Sequence, residues 1–160
     1  MRWSVACAAL AALSFAGAGV QGGASPDKEA VTDSAIISRC GARMAKMFAQ
    51  YGAPEDLWAD RGATEPEDDV FLGYGAYGFK VRDKVVRVCF FFKSWNGPIR
   101  GIKIGDGYEG VEKVLGKPRT TVKSKEGAIT AYGYELKDLG ANLFANFKEG
   151  KVWRVEVSLK

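Results

Sequence analysis

The chain has 160 residues, is 47% hydrophobic, 12% aromatic and 26% charged, and carries 23 basic against 19 acidic side chains, a net charge of +4. These are the proportions of one globular domain or two very small ones. They exclude a disordered, collagenous or coiled-coil chain, and so weak a surplus spread along the chain defines no nucleic-acid groove. The absence of histidine removes Ser-His-Asp and Cys-His catalysis and every histidine-containing metal site, and three cysteines are too few for a four-thiolate zinc site.

Arg2, the apolar run over residues 5–16 and the small residues Ala16, Gly17 and Ala18 have the three-part form of a secretory signal peptide. It is assigned to residues 1–24, with cleavage after Ala18 or Ala24, and it predicts a periplasmic or secreted protein. The apolar run is shorter than the roughly 20 residues of a membrane span, so no stable membrane insertion is expected after cleavage. Cys7 lies too near the start to receive a lipid. The mature chain then keeps Cys40 and Cys89, and an even pair in an oxidising compartment points to one disulfide, against two separately buried thiols.

Thr32, Asp33 and Ser34 offer helix N-cap acceptors, and Ile36, Ile37, Cys40, Met44, Met47, Phe48 and Tyr51 recur at helical spacing. The pattern predicts one amphipathic helix of about four or five turns, ended by Gly52 as a left-handed cap with Pro54 beyond it. A loop follows, whose acidic run at residues 65–69 reads as a solvated connection; its carboxylates lack the spaced pattern of a calcium loop. From Val70 the period becomes that of strands, predicted at 70–72, 77–81, 85–92 and 99–104. Gly105, Asp106 and Gly107 open a second helix with Tyr108, Val111, Val114 and Leu115 on one side, ending at Gly116-Lys117-Pro118. Further strands are predicted at 128–136, 142–148 and 151–159.

The two halves can be superposed in sequence. Tyr51-Gly52-Ala53-Pro54 matches Leu115-Gly116-Lys117-Pro118, and Lys84-Val85-Val86-Arg87-Val88 matches Lys151-Val152-Trp153-Arg154-Val155. The expected class is therefore α+β: tandem helix-plus-antiparallel-meander repeats, at 30–98 and 99–160, forming one continuous sheet with the helices on one face.

The string Gly73-x-Gly75-x-x-Gly78 matches a dinucleotide fingerprint, but a strand pattern rather than a helix follows it, so it reads as glycines at strand bends. No carboxylate pair stands out for glycosidase chemistry. The basic stretch of Lys113, Lys117, Arg119, Lys123 and Lys125 reads as a solvated face. In the closing strand, alternation puts Trp153, Val155, Val157 and Leu159 inside and Arg154 on the open face. Carried through the repeat, this places Val86, Val88, Phe90 and Phe92 inside, and Arg87, Cys89 and Phe91 on the open face. That parity opposes a Cys40–Cys89 bond, whereas compartment and count favour it. The open-face binding candidates are then Tyr74, Tyr77, Arg87, Phe91, Tyr132, Tyr134 and Arg154, with Trp95 and Trp58 on adjoining loops. Aromatic and arginine side chains of this kind dominate binding hot spots.

Ile104-Gly105, the spacing Val111-x-x-x-Leu115-Gly116-Lys117-Pro118, Tyr132-x-Tyr134 and Phe147-Lys148-Glu149-Gly150-Lys151-Val152 resemble the SmpA/OmlA outer-membrane lipoproteins and the tandem-repeat fold of β-lactamase-inhibitor-like (BLIP-like) proteins. The resemblance covers roughly 50 residues of the second half, with a weaker echo in the first, and the chain lacks a usable lipid-attachment cysteine. It implies a small exported, non-enzymatic module without cofactor or metal. Such a module docks a protein partner of the cell envelope on the open face of its sheet, as an inhibitor or immunity-type protein, or alternatively serves as an envelope assembly or maintenance factor.

Overall fold

The computed structural model describes residues 31–64 and 67–160; the signal-peptide segment and its cleavage sites lie outside them. The Thr32 hydroxyl accepts the Ala35 N–H at 3.2 Å and caps α1 (Asp33–Ile37). The single helix expected to run to residue 51 is interrupted. Gly41 takes φ 87°, its N–H bonds the Val86 carbonyl at 2.8 Å, and the Val86 N–H bonds Ala42 at 2.9 Å. The chain thereby crosses beside a strand before α2 (Met44–Tyr51) begins. Helix α2 stops at Gly52, whose φ of 76° and ψ of −159° lie outside the left-handed helical well expected there.

The strands are β1 (Asp56–Asp60), β2 (Asp69–Tyr74), β3 (Tyr77–Arg82), β4 (Val85–Phe91), β5 (Thr120–Lys123), β6 (Ile129–Leu136), β7 (Ala141–Lys148) and β8 (Lys151–Leu159), with α3 (Tyr108–Leu115) between β4 and β5. They form one antiparallel sheet in the order β1-β2-β3-β4-β8-β7-β6-β5, which makes the protein α+β. Strands β1 and β5 occupy segments expected to be loops. Both are edge strands exposed along their whole length, so neither shows the alternation of a half-buried strand. Residues 99–104, expected as a strand, instead make a tight turn. Ile99 and Ile102 pair with each other and are fully buried, around Arg100 at φ 53° and Gly101 at φ 91°.

The three helices among the described residues lie on one side of the sheet. The α1 carbonyl of Ile36 accepts from the Cys89 thiol of β4, Tyr51 of α2 packs on Tyr74, Tyr77 and Phe79, and Tyr108 of α3 packs on Tyr132 and Phe147. Between helices and sheet lies the core, in which Leu72, Phe79, Phe91, Leu143, Val155 and Val157 are fully buried with Ile36, Met47 and Val111. Val114, expected on the buried side of α3, is exposed.

The parity inferred for β4 is reversed beyond its start. Lys80 pairs with Val88 but Val81 pairs with Val86, so Arg87 is an unpaired bulge residue. After it Cys89 and Phe91 point into the core, while Val88 and Phe90 point to the other face. A like bulge occurs in β8, where Asn146 pairs with Arg154 and Phe147 with Val152. There the inferred parity holds from Arg154 onward, with Val155 and Val157 buried, and only the start of the strand differs. Trp153 is the bulge there and is exposed, and Val152 takes the core position expected for it. One extra residue shifts a period of two by one step and exchanges the faces.

Candidate functional site

No helix among the described residues covers the second face of the sheet, and its most structured part is an aromatic floor spanning β1 to β4. Phe71 of β2 lies across the cross-strand pair Gly73 and Gly78. A Cβ at Gly78 would stand 2.7 Å from the Phe71 ring and 2.9 Å from the Leu72 carbonyl oxygen. The glycines therefore let the ring lie flat on the sheet. Trp58 of β1, paired with Phe71 in register, stacks on it at 3.8 Å between centroids and 20° between planes. Phe90 and Phe92 extend the floor, 5.6 and 5.9 Å from Phe71. These rings, with Asp60, Asp69, Lys80 and Arg154, line a pocket of about 240 Å³. Phe71 and Phe90 are buried as its base, but Trp58 keeps 50% of its surface in solvent.

Charge is arranged around the floor in pairs. The Arg82 guanidinium donates to both Asp69 oxygens at 2.8 Å, and the Lys80 ammonium lies 2.7 Å from one of them. The hydrogen bond from Arg82, assisted by Lys80 against the cost of burial, holds the Asp69 carboxyl at about 2. Asp69 is thus a fixture of the sheet rather than a free acid. On the opposite rim Arg154 lies over the Phe90 ring at 5.6 Å and the Trp153 ring at 4.6 Å. Its terminal nitrogen meets Glu156 at 2.5 Å, while its buried Nε donor has no partner among the described residues. With 32% of its side chain in solvent, a guanidinium resting against two rings can donate to a carboxylate or carbonyl of an incoming molecule.

A second, more open and polar groove of about 530 Å³ lies over the other half of the sheet, between Arg119, Asn142, Phe144 and Lys160. Its cations are already engaged, since Arg119 and Lys160 both bind Glu135 and keep that carboxyl below the usual range, Lys160 most strongly.

Of the candidates expected on the open face, only Arg154 is found there beside the rings. Tyr74, Tyr77, Phe91, Tyr132 and Tyr134 all project to the helix-covered side. Tyr74 and Tyr77 stack at 5.7 Å beside Tyr51, and Tyr74 donates to the Gly52 carbonyl at 3.2 Å. Tyr132 and Tyr134 are buried. Burial pushes the phenols of Tyr77 and Tyr134 up to about 12. Trp95 is also buried, edge-on to Phe91 at 4.9 Å. Arg87 stands exposed at its bulge. Phe71, Phe90 and Phe92 escaped the sequence reading: the bulge that sends the last two outward leaves no mark in composition. The cross-strand glycines were the visible signal for Phe71. Gly75 sits in the β2–β3 turn at φ 71° with strand β3 directly after it, so no helix N-terminus faces the glycine string.

The bulge also brings Cys89 to the helix side, where its Sγ lies 3.0 Å from that of Cys40. Both are free thiols in this structure. The contact with Cys89 lowers the Cys40 thiol below its ordinary value, and the same contact together with burial pushes Cys89 up. No metal-holding cluster of acidic or sulfur side chains occurs among the described residues.

No protein-family model matches the chain, and no curated protein does. Among solved structures it is similar to an extracellular protein containing an SCP domain from Bacillus anthracis str. Ames, with a TM-score of 0.58 and 13% identity over 86% of this chain. The chain spans 50% of that protein's length. It is also similar to a DUF4309-family protein from Bacillus subtilis subsp. subtilis str. 168, with a TM-score of 0.50 and 17% identity, covering 74% of this chain and 78% of the other. At these identities the likeness is one of fold, and neither protein is described as a member of the SmpA/OmlA or inhibitor families that the sequence resembles.

Proposed function

We propose that this is an exported, non-enzymatic binding module that docks a protein partner on the face of its sheet opposite the described helices, with Trp58 and Arg154 as the anchors. The observation that carries the reading is the half-exposed Trp58 stacked on a Phe71–Phe90–Phe92 floor beside a ring-held guanidinium. Large rings and arginine in a preformed depression are the groups that dominate hot spots. The matching partner surface is an aliphatic or aromatic side chain next to a carboxylate. An inhibitor or immunity-type protein is one form of such a module. The leader-like segment at residues 1–24 and the absence of histidine agree with export and with a function that needs no general base.

The same reading includes a tandem origin for the binding sheet. The helix regions repeat their bonds at an offset of 64 residues. Gly41 bonds Val86 as Gly105 bonds Val152, Val86 bonds Ala42 as Val152 bonds Asp106, and Gly52 bonds Phe48 as Gly116 bonds Glu112. The hairpin turns at Asp83-Lys84 and Glu149-Gly150, and the bulges at Arg87 and Trp153, repeat at an offset of 66. Such coincidences support two copies of one helix-and-meander unit joined through their last strands, in the BLIP-like manner.

Affinity capture from the organism's own envelope and secreted fractions tests the function. Wild-type protein is expected to retain a specific partner, and Trp58→Ala or Arg154→Ala to weaken the recovered complex at least about tenfold without loss of the fold. A complex that survives both substitutions unchanged places the interface elsewhere. An osmotic-shock release of the native protein is the accompanying check on export.

A further inference from the structure

We propose that Cys40 and Cys89 form a thiol–disulfide site: Cys40 reacts first with a disulfide-bearing oxidant of the compartment the chain enters, and Cys89 then closes an intramolecular bond that ties the first helical segment to the central strand β4. The encounter with such an oxidant rests on the export reading above; the geometry of the pair does not.

That geometry is held from both sides. The turn carrying Cys40 is fixed by the Cys40 N–H to Ile37 carbonyl bond at 3.0 Å, and directly afterwards by the two bonds that tie Gly41 and Ala42 to Val86 of β4. Cys89 is clamped in the middle of the sheet, paired with Phe79 on one side and Val157 on the other. With both backbones immobilised, the sulfurs face each other at 3.0 Å. Each has one further polar neighbour, the Val157 carbonyl at 3.5 Å for Cys40 and the Ile36 carbonyl at 3.4 Å for Cys89. Neither carbonyl competes as an electrophile.

The order of reaction follows from access and acidity. Cys40 is partly exposed and Cys89 buried, and thiolate character, which sets attack on a disulfide, falls on Cys40. The Cys40 thiolate attacks one sulfur of the oxidant and expels the other as a thiol, leaving a mixed disulfide. Cys89 gives up its proton and attacks the Cys40 sulfur, expelling the second thiol. Two S–H bonds are exchanged for one S–S bond in the protein, and the two electrons reduce the oxidant's disulfide to two thiols.

The test uses full-length protein, reduced and then incubated in mixtures of oxidised and reduced glutathione, alkylated and digested with trypsin. The peptide of residues 40–43 should emerge joined to that of residues 88–93, two hydrogens lighter than their sum. The Cys89→Ser variant should stop at a glutathione adduct on Cys40, and Cys40→Ser should take up glutathione at Cys89 at least about tenfold more slowly. Reduction should lower the thermal midpoint of the wild type by about 5–10 °C. Recovery of both residues as alkylated free thiols from folded wild-type protein, even in oxidised glutathione, overturns the site. If the bond forms in glutathione but both thiols are free in protein taken directly from cells, the export reading fails and the site stands.

Discussion

Asp69 is the one buried charged residue in the described chain, and what it does follows from its neighbours rather than from its place in an acidic run. The alternation of β2 begins at Asp69, which turns it onto the open face beside Lys80 and Arg82 instead of into the solvated loop where composition assigned it. Its folded pKa of about 2 lies below the ordinary carboxyl value of 3.8. A depressed carboxyl contributes stability that is fully present above its unfolded pKa and is lost as pH falls through the folded one. Stability is therefore expected to fall by about 2 kcal/mol between about pH 5 and pH 1 through this group. Asp69→Asn should remove that component of the acid transition, read by urea unfolding at stepped pH. An unchanged acid limb in the variant would mean that other carboxyls carry it. Phe91 and Tyr132 make the complementary point. Both are of a kind that dominates interfaces, and both are spent on the core.

At the scale of elements, the caps and the strand runs could be read and the faces could not. Thr32 as a cap, Gly52 and Gly116 as helix ends, and the runs that became β2, β3, β4, β6, β7 and β8 all depend on local chemistry or on a buried face, which sequence displays directly. A bulge depends on which residue is left out of a ladder. Arg87 and Trp153 have no special chemistry for it, so the inferred parity failed at Phe90, Phe91 and Cys89 together. The edge strands β1 and β5 were hidden for a different reason, having no buried side to produce a pattern. The helix ends yield a prediction with little steric interference. Gly52 and Gly116 share φ of 76° and 79° with ψ of −159° and −166°, a region open essentially to glycine alone. A Cβ at either would meet nothing within 4 Å. Gly52→Ala and Gly116→Ala should each cost about 1–3 kcal/mol from backbone strain alone, by denaturant unfolding, and by similar amounts. A loss below about 0.5 kcal/mol at either site would show that the helix end relaxes freely.

For the whole molecule, the strand order has a dynamic counterpart. Every strand pair except one joins neighbours in sequence; the exception is β4 with β8, where Phe91 meets Val155 and Cys89 meets Val157. Closing a hairpin constrains a few residues, but bringing positions 91 and 155 together closes a loop that costs about 3–4 kcal/mol in chain entropy before any contact repays it. Each half can collapse locally, whereas their joining is the slow search. Val157→Ala, at the centre of this ladder, should therefore slow folding about tenfold while changing the unfolding rate little, as followed by stopped-flow fluorescence of the tryptophans. An effect confined to the unfolding arm would place the joining after the barrier. The single ladder between two locally wired halves thus sets a clock: until it closes, β4 and β8 both present free backbone edges, and a second chain can pair with either. Folding yield should then fall as concentration rises, even though the finished sheet has both of these strands sealed inside it.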